Sequence, residues 1–319
     1  MSSVQSPFVL SEARPIDKNK FADPMRTARG EERAFVELRG LETLWFNTGT
    51  LCNLACKSCY IESSPKNDAL VYITLSEVRG FLDEIEANNL PVREIAFTGG
   101  EPFMNPDMMP ILALCLDRGF EVLVLSNAMR PMRRLEEQLL ALQGRDLLTI
   151  RVSLDHYTKA IHEAERGHSW DKAIDGLVWL AERGFNVAVA GRQLESESEA
   201  EARAGFAELF ARLGLPIDAV DPAQLVVFPA MDAAADIAEI TTDCWDILGV
   251  DPASMMCSSS RMVVKRKGEA EPRVAACTLL PYQDEFDLGS TLVEASGKVQ
   301  LNHPHCARFC VLGGASCTA

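Results

Sequence analysis

Three cysteines set close together are the residues of this chain best suited to chemistry. Cys52, Cys56 and Cys59 stand in the run Leu51-Cys52-Asn53-Leu54-Ala55-Cys56-Lys57-Ser58-Cys59-Tyr60, with three and then two residues between them. Thiolates at this spacing can hold an iron–sulfur cube by three of its irons and leave the fourth iron open to another ligand. A structural zinc site asks for four ligands, usually as two close pairs, and the chain has one Cys-x-x-Cys pair, Cys56 to Cys59. A ferredoxin cluster asks for a fourth cysteine nearby, and the next one is Cys115.

Further along comes Thr98-Gly99-Gly100-Glu101-Pro102. Two adjacent glycines allow backbone to come close to a ligand, and Glu101 offers an acceptor for an ammonium group; alone, the string is also an ordinary turn. The cysteine loop resembles the signature of the radical S-adenosylmethionine (radical SAM) superfamily, and Gly99, Gly100, Glu101 and Pro102 match the motif that lines its methionine amino site. One departure stands out: Ser58 precedes the third cysteine where the family often has an aromatic residue, and Tyr60 follows it. The resemblance implies a [4Fe-4S] cluster whose open iron is chelated by the amino and carboxylate groups of SAM. It further implies one-electron cleavage of SAM to methionine and a 5′-deoxyadenosyl radical, with an electron donor such as flavodoxin or ferredoxin as partner.

Several strand ends carry small polar or basic residues. Ser126-Asn127 and Ser153-Leu154-Asp155 suit ribose hydroxyls, and the resemblance puts SAM sugar and carboxylate contacts in these loops; turn or cap roles are equally open for Asn127 and Asp155. His162 and Arg166-Gly167 look like a recurring family loop whose arginine reaches SAM or substrate, with a surface ion pair as the alternative. Arg192, after Gly191, is a candidate anion contact because a guanidinium grips a carboxylate with two parallel hydrogen bonds; a plain loop arginine is the competing reading. Cys115, in the apolar run Ile111 to Leu116, and Cys244, beside Trp245, read as small core residues.

A second group of cysteines lies late in the chain. Cys257 and Cys277 bracket a stretch that reads as a β-hairpin, Arg261 to Gly268 and Val274 to Ala276, and Cys306, Cys310 and Cys317 follow. The layout resembles the SPASM or twitch modules appended to radical SAM enzymes, although the gap after Gly268 is longer and the last triplet is spaced differently. Five cysteines suffice for one fully ligated cluster and not for two, so the expectation is one auxiliary iron–sulfur cluster held by Cys257, Cys277 and two or three of Cys306, Cys310 and Cys317. A zinc site made by the same residues competes, and His303 and His305 stand near enough in sequence to join either metal.

The elements that must position these groups follow from hydrophobic periodicity. Short apolar and β-branched runs at 42–47, 94–98, 121–126, 149–154, 186–190 and 224–228 read as strands, with helical patterns between them. Thr74-Leu75-Ser76-Glu77 is a capping box, after which Leu75, Val78, Phe81, Leu82 and Ile85 share one helical face. Further helices are expected from Pro106 to about Gly119 and at about 131–143, 169–183 and 197–213, with Gly184 and Gly214 at C-terminal caps. Alternating strands and helices imply an α/β protein with a parallel sheet, and the resemblance implies a partial (β/α)6 TIM-like barrel. Reactive groups of such proteins gather beyond the C-terminal ends of the strands, where the cysteine loop begins. Residues 1–40 read as an irregular arm, 41–230 as the barrel, and 231–319 as a small C-terminal module with a β-hairpin and a cysteine-rich iron–sulfur site.

Composition narrows the partners. A net charge of −15 over 319 residues disfavours a general nucleic-acid binder. No run of about eighteen apolar residues suggests a membrane span, and the N-terminus lacks a signal-peptide layout, so a cytoplasmic location is expected. Without a secretion signal, ten cysteines point to metal or redox use. The resulting expectation is a radical SAM enzyme that abstracts hydrogen from a substrate. The short irregular stretch before the barrel leans that expectation to a small-molecule or natural-product substrate. A peptide- or protein-modifying maturase is the first alternative, and a non-catalytic electron-transfer or zinc scaffold is the second.

Overall fold

The sheet is built from strands whose two faces are both apolar. A computed structural model describes residues 6–10, 14–229 and 232–316. Its strands are β1 (Phe35–Val36), β2 (Thr43–Asn47), β3 (Glu94–Thr98), β4 (Glu121–Ser126), β5 (Leu148–Ser153), β6 (Asn186–Arg192), β7 (Leu225–Phe228), β8 (Ser260–Val264), β9 (Arg273–Ala275) and β10 (Val299–Gln300). From β2 to β7 each strand pairs in parallel with the next in sequence. This is the α/β, TIM-like arrangement expected of a partial barrel.

Alternate residues of each strand enter different cores, as the two-residue period of a strand requires. Leu44, Phe46, Ile95, Phe97, Val122, Val124, Ile150 and Val152 pack under the helices. Trp45, Ala96, Leu123, Met262 and Val264 belong to a second core on the opposite face. That face is filled by Phe21, Ala34 and Val36 from the N-terminal arm and by Met255, Met256, Leu280 and Phe286 from the C-terminal segment. The arm is therefore irregular but packed, and its β1 pairs with β10. β8 runs parallel along the remaining edge of β2, and β9 completes an antiparallel hairpin with it, so the eight strands form one sheet in the order β7-β6-β5-β4-β3-β2-β8-β9.

The helices follow their caps. The hydroxyl of Thr74 accepts from the Glu77 amide and the Glu77 carboxylate accepts from the Thr74 amide, opening the helix Leu75–Ala87. The helix Glu199–Leu213 ends on Gly214 in the left-handed conformation. The single helix expected at 131–143 is two pieces, Arg130–Arg133 and Glu136–Ala141, because the turn tightens to a Leu135 N–H to Met132 carbonyl bond. A helix at Lys159–Arg166 stands where a loop was expected, and its buried residues are His162 and Glu165. Polar residues on the buried face conceal such a helix from hydrophobic periodicity. Among the described residues, no helix is long and apolar enough to cross a membrane.

Candidate functional site

The loop after β2 is fixed from three sides. Thr48 donates its amide to the carbonyl of Thr98, Thr50 to that of Leu70, and Cys52 to that of Ser64. The Tyr282 hydroxyl, from the C-terminal segment, donates to the Ile61 carbonyl at 2.8 Å. The two glycines after β3 let this loop lie directly against the next one. A Cβ on Gly100 would stand 2.1 Å from the Leu51 carbonyl oxygen, and one on Gly99, at φ +138°, would stand 2.6 Å from that of Gly49. The Gly100 and Glu101 amides donate to the Gly49 and Leu51 carbonyls across this contact. The close approach expected of a ligand is here made by the cysteine loop itself.

Glu101 also differs from its expected placement. It is 1% exposed, and its carboxylate accepts from the Asn127 amide and the Ser126 hydroxyl, each at 2.9 Å, and from the Phe103 amide at 3.2 Å. It thus ties β3 to the end of β4 from behind. Burial pushes its pKa up to about 7 despite those donors. Pro102 opens a short 3₁₀ turn, Pro102–Met104. The Asn127 side chain donates to Asn53 in the cysteine loop at 2.9 Å.

One cleft, with about 1070 Å³ of empty space counted to its open mouth, gathers most of the expected residues. Cys52, Cys56, Cys59, Gly99, Gly100, Ser126, Asn127, Ser153, Asp155, Arg166 and Arg192 all line it. It lies at the C-terminal ends of the parallel strands, where α/β folds place ligands. Asp155 and Arg166 form a bidentate pair there, with Nε to Oδ2 at 2.7 Å and Nη2 to Oδ1 at 3.1 Å. Burial alone would raise the Asp155 pKa, but the charges of Arg166 and Arg192 outweigh it and hold the carboxyl below its usual range. His162 is set apart: it is fully buried, bonds Ser169 at 2.9 Å and meets the edge of Trp170.

Glu165 carried no sequence signal and proves central. Its carboxylate accepts from the Ser58 amide and hydroxyl, each at 2.8 Å, and lies 3.5 Å from the Arg192 guanidinium. Arg192 also donates to the Ser58 hydroxyl at 2.7 Å and stacks over the Phe8 ring at 4.3 Å. Ser6, from the same stretch of the arm as Phe8, donates to Glu165. The arginine expected to meet an anion is thus already paired with Glu165 and covered by the arm.

Cys52, Cys56 and Cys59 line one cleft, although among the described residues no three Cys, His, Asp or Glu side chains are already gathered as a metal-ligand set. Backbone amides of Leu54 and Ser63 point at the Cys52 and Cys59 sulfurs, each at 3.4 Å, an arrangement that favours ligating thiolates. The buried hydroxyl of Ser63, on the cleft wall, has no partner among the described residues. Burial pushes the Cys52 thiol up to about 12 and also raises Cys56, so both are protonated until metal replaces the proton.

A second, smaller cavity holds Cys257, Cys277, Cys306 and Cys310, with Met256 and Leu280 in its walls. Cys306 and Cys310 sit on the π-helical stretch Cys306–Val311. Burial pushes Cys257 up to about 11 and Cys306 up to about 12. His305 lines the same cavity. Cys317 lies outside the described residues. Leu279 is common to the walls of both cavities. Cys115 is fully buried in the core under the helices, and Cys244 is half-buried against the second core.

Comparison with known proteins agrees with this geometry. The profile of the Radical SAM superfamily matches residues 46–193. The antilisterial bacteriocin subtilosin biosynthesis protein AlbA of Bacillus subtilis is 31% identical over 141 residues, covering 44% of this chain and 30% of AlbA. GTP 3',8-cyclase of Rhodococcus opacus is 36% identical over 107 residues, covering 33% of this chain and 29% of the cyclase. The chain thus spans less than a third of the length of either relative. Among solved structures, Streptococcus suis SuiB bound to S-adenosylmethionine shares the fold, with a TM-score of 0.58 over 79% of this chain and 64% of SuiB at 12% identity. Members of the family use a [4Fe-4S] cluster and SAM. Cysteine loop, strand order and matched profile coincide, and residues 46–193 of this chain match the Radical SAM superfamily.

Proposed function

We propose that this chain is an enzyme that abstracts hydrogen from a small-molecule or natural-product substrate. The observation that carries the reading is the single cleft in which Cys52, Cys56 and Cys59 face the loops that end β3, β4, β5 and β6. A [4Fe-4S] cluster with SAM on its open iron supplies, when bound, a 5′-deoxyadenosyl radical by one-electron cleavage of SAM.

The protein's part is to bind, orient and exclude water. Cys52, Cys56 and Cys59 would hold the cluster through their thiolates. The backbone at Gly99 and Gly100 forms the wall beside them, with Glu101 and Pro102 supporting it from behind. Ser126, Asn127 and Ser153 offer hydroxyl and amide groups to a ribose. Arg166, held in orientation by Asp155, presents its guanidinium to the carboxylate of SAM. Ser6 and Phe8 cover the side of the cleft formed by Glu165 and Arg192, which limits the space and shields a radical from solvent. Cover of this kind supports a compact substrate. In the second cavity, Cys257, Cys277, Cys306 and Cys310 would supply four thiolates, enough for one auxiliary cluster.

Peptide modification is the second reading, favoured by the match to a bacteriocin biosynthesis protein. The deciding experiment begins anaerobically, with reconstituted protein, dithionite and SAM. 5′-Deoxyadenosine that forms with wild type and vanishes in a Cys52, Cys56 and Cys59 triple alanine variant supports the radical reading. Its absence, together with absence of SAM binding, supports the scaffold instead.

A further inference from the structure

On the outer side of the cysteine loop lies a separate open cleft. Asn53 and Leu54, which directly follow Cys52, form part of its wall, and Arg166 lines both this cleft and the cysteine-lined cleft. Asn53 bridges the two regions through Asn127 and a contact to the Met129 sulfur. The floor is apolar, with half-buried Leu54, Met104 and Leu135.

The rim is basic. Arg130, Arg134 and Lys172 are exposed on it, and none has an ion-pair partner among the described residues. His168 stands beside them, 3.5 Å from Glu163. The neighbouring charges Arg133 and Lys159 are, by contrast, occupied by Glu136 and Asp171. Three uncompensated cations around an apolar floor stand out on a chain of net charge −15. An apolar centre with a charged rim is the anatomy of a protein interface, and opposite charge on the partner would steer its approach.

We propose that this cleft is the docking face for a small acidic one-electron carrier protein that reduces the cluster. The inference rests on the radical reading above, since that reading requires one electron from outside for each SAM cleaved. The carrier loses one electron, a flavin hydroquinone becoming the semiquinone, and the cluster gains it. A net charge of −15 repels such a partner overall, while the basic rim accepts it beside the cysteine loop. A small interface is sufficient, because electron-transfer encounters bury little area.

The test uses oxidised and hydroquinone flavodoxin with the iron-loaded, full-length protein. Calorimetric binding of oxidised flavodoxin should weaken between about 10 mM and about 150 mM salt, as the Debye length falls from about 30 Å to about 8 Å. The triple variant R130E/R134E/K172E should bind at least about ten-fold more weakly, and R130Q/R134Q/K172Q should fall between it and wild type. 5′-Deoxyadenosine formation driven by flavodoxin hydroquinone should drop likewise, while the rate driven by reduced methyl viologen, a small cation, should not fall. Unchanged flavodoxin binding in either variant overturns the docking face, as does equal loss with methyl viologen. Failure of wild type with methyl viologen instead counts against the radical reading, and the binding series still decides the interface.

Discussion

The carbonyl oxygen of Leu51 occupies the space that a side chain on residue 100 would need, leaving only 2.1 Å to an added Cβ. The obstacle is backbone, which cannot swing aside as a flexible side chain can. Gly100→Ala should therefore separate the cysteine loop from β3. We expect a loss of about 1–3 kcal/mol or more in thermal or denaturant stability, with iron content after reconstitution falling well below wild type. Normal iron loading in this variant would show that the contact is dispensable.

The Asp155 and Arg166 pair leads to a sharper expectation. Removing one partner of a buried ion pair leaves a charge uncompensated, at a cost of about 3–5 kcal/mol. Asp155→Asn should lower the melting temperature and weaken SAM binding at least ten-fold, as read by equilibrium dialysis. Arg166→Lys keeps the charge but loses the fork that grips Asp155, so SAM binding should weaken there too.

Glu101 sets a pH dependence. Its pKa in the folded protein, about 7, lies above the ordinary carboxyl value, so between about pH 4.5 and 7 the folded state holds a proton that the unfolded state has lost. Its contribution is favourable below that window and is lost as pH rises through it. Denaturation midpoints of wild type and Glu101→Gln, compared in the metal-free protein, should diverge across this range, with the wild type losing stability relative to the variant as pH increases. Parallel profiles would rule out a perturbed Glu101.

Metal loading should release protons. Burial keeps the Cys52, Cys257 and Cys306 thiols protonated well above neutral pH, and ligation requires thiolates. Cluster assembly in weakly buffered solution should acidify the medium and should tighten from about pH 6.5 to about pH 8.5. Reconstitution independent of pH would mean that the thiols are ionised beforehand.

Much of this arrangement was legible in the residues. β3 and β4 fall at their expected bounds, and β2, β5 and β7 within a residue or so, because each is a short apolar run between turn signals. The hairpin of β8 and β9 likewise follows from its alternation, but its place beside β2 is a long-range pairing that no local pattern encodes. The cysteine loop declared itself by spacing. Glu165 did not, since a carboxylate buried among Ser58, Ser6 and Arg192 resembles any helical surface glutamate until the fold assembles its partners. The Gly-Gly-Glu-Pro motif points Glu101 to a ligand, whereas the backbone that turns it toward Asn127 leaves no mark in the local sequence.

The pairing of β8 with β2 also bears on how the protein matures. A ribosome delivers β2 and the cysteine loop early, yet the strand that covers the edge of β2 is complete only when Val264 has been added, and the Tyr282 hydroxyl that anchors the Ile61 carbonyl arrives later still. Until then the nascent chain carries an uncapped edge and an unanchored thiol loop, a state open to wrong pairing and to oxidation. The thiol loop therefore reaches its final anchoring only after the segment through Tyr282 has been made.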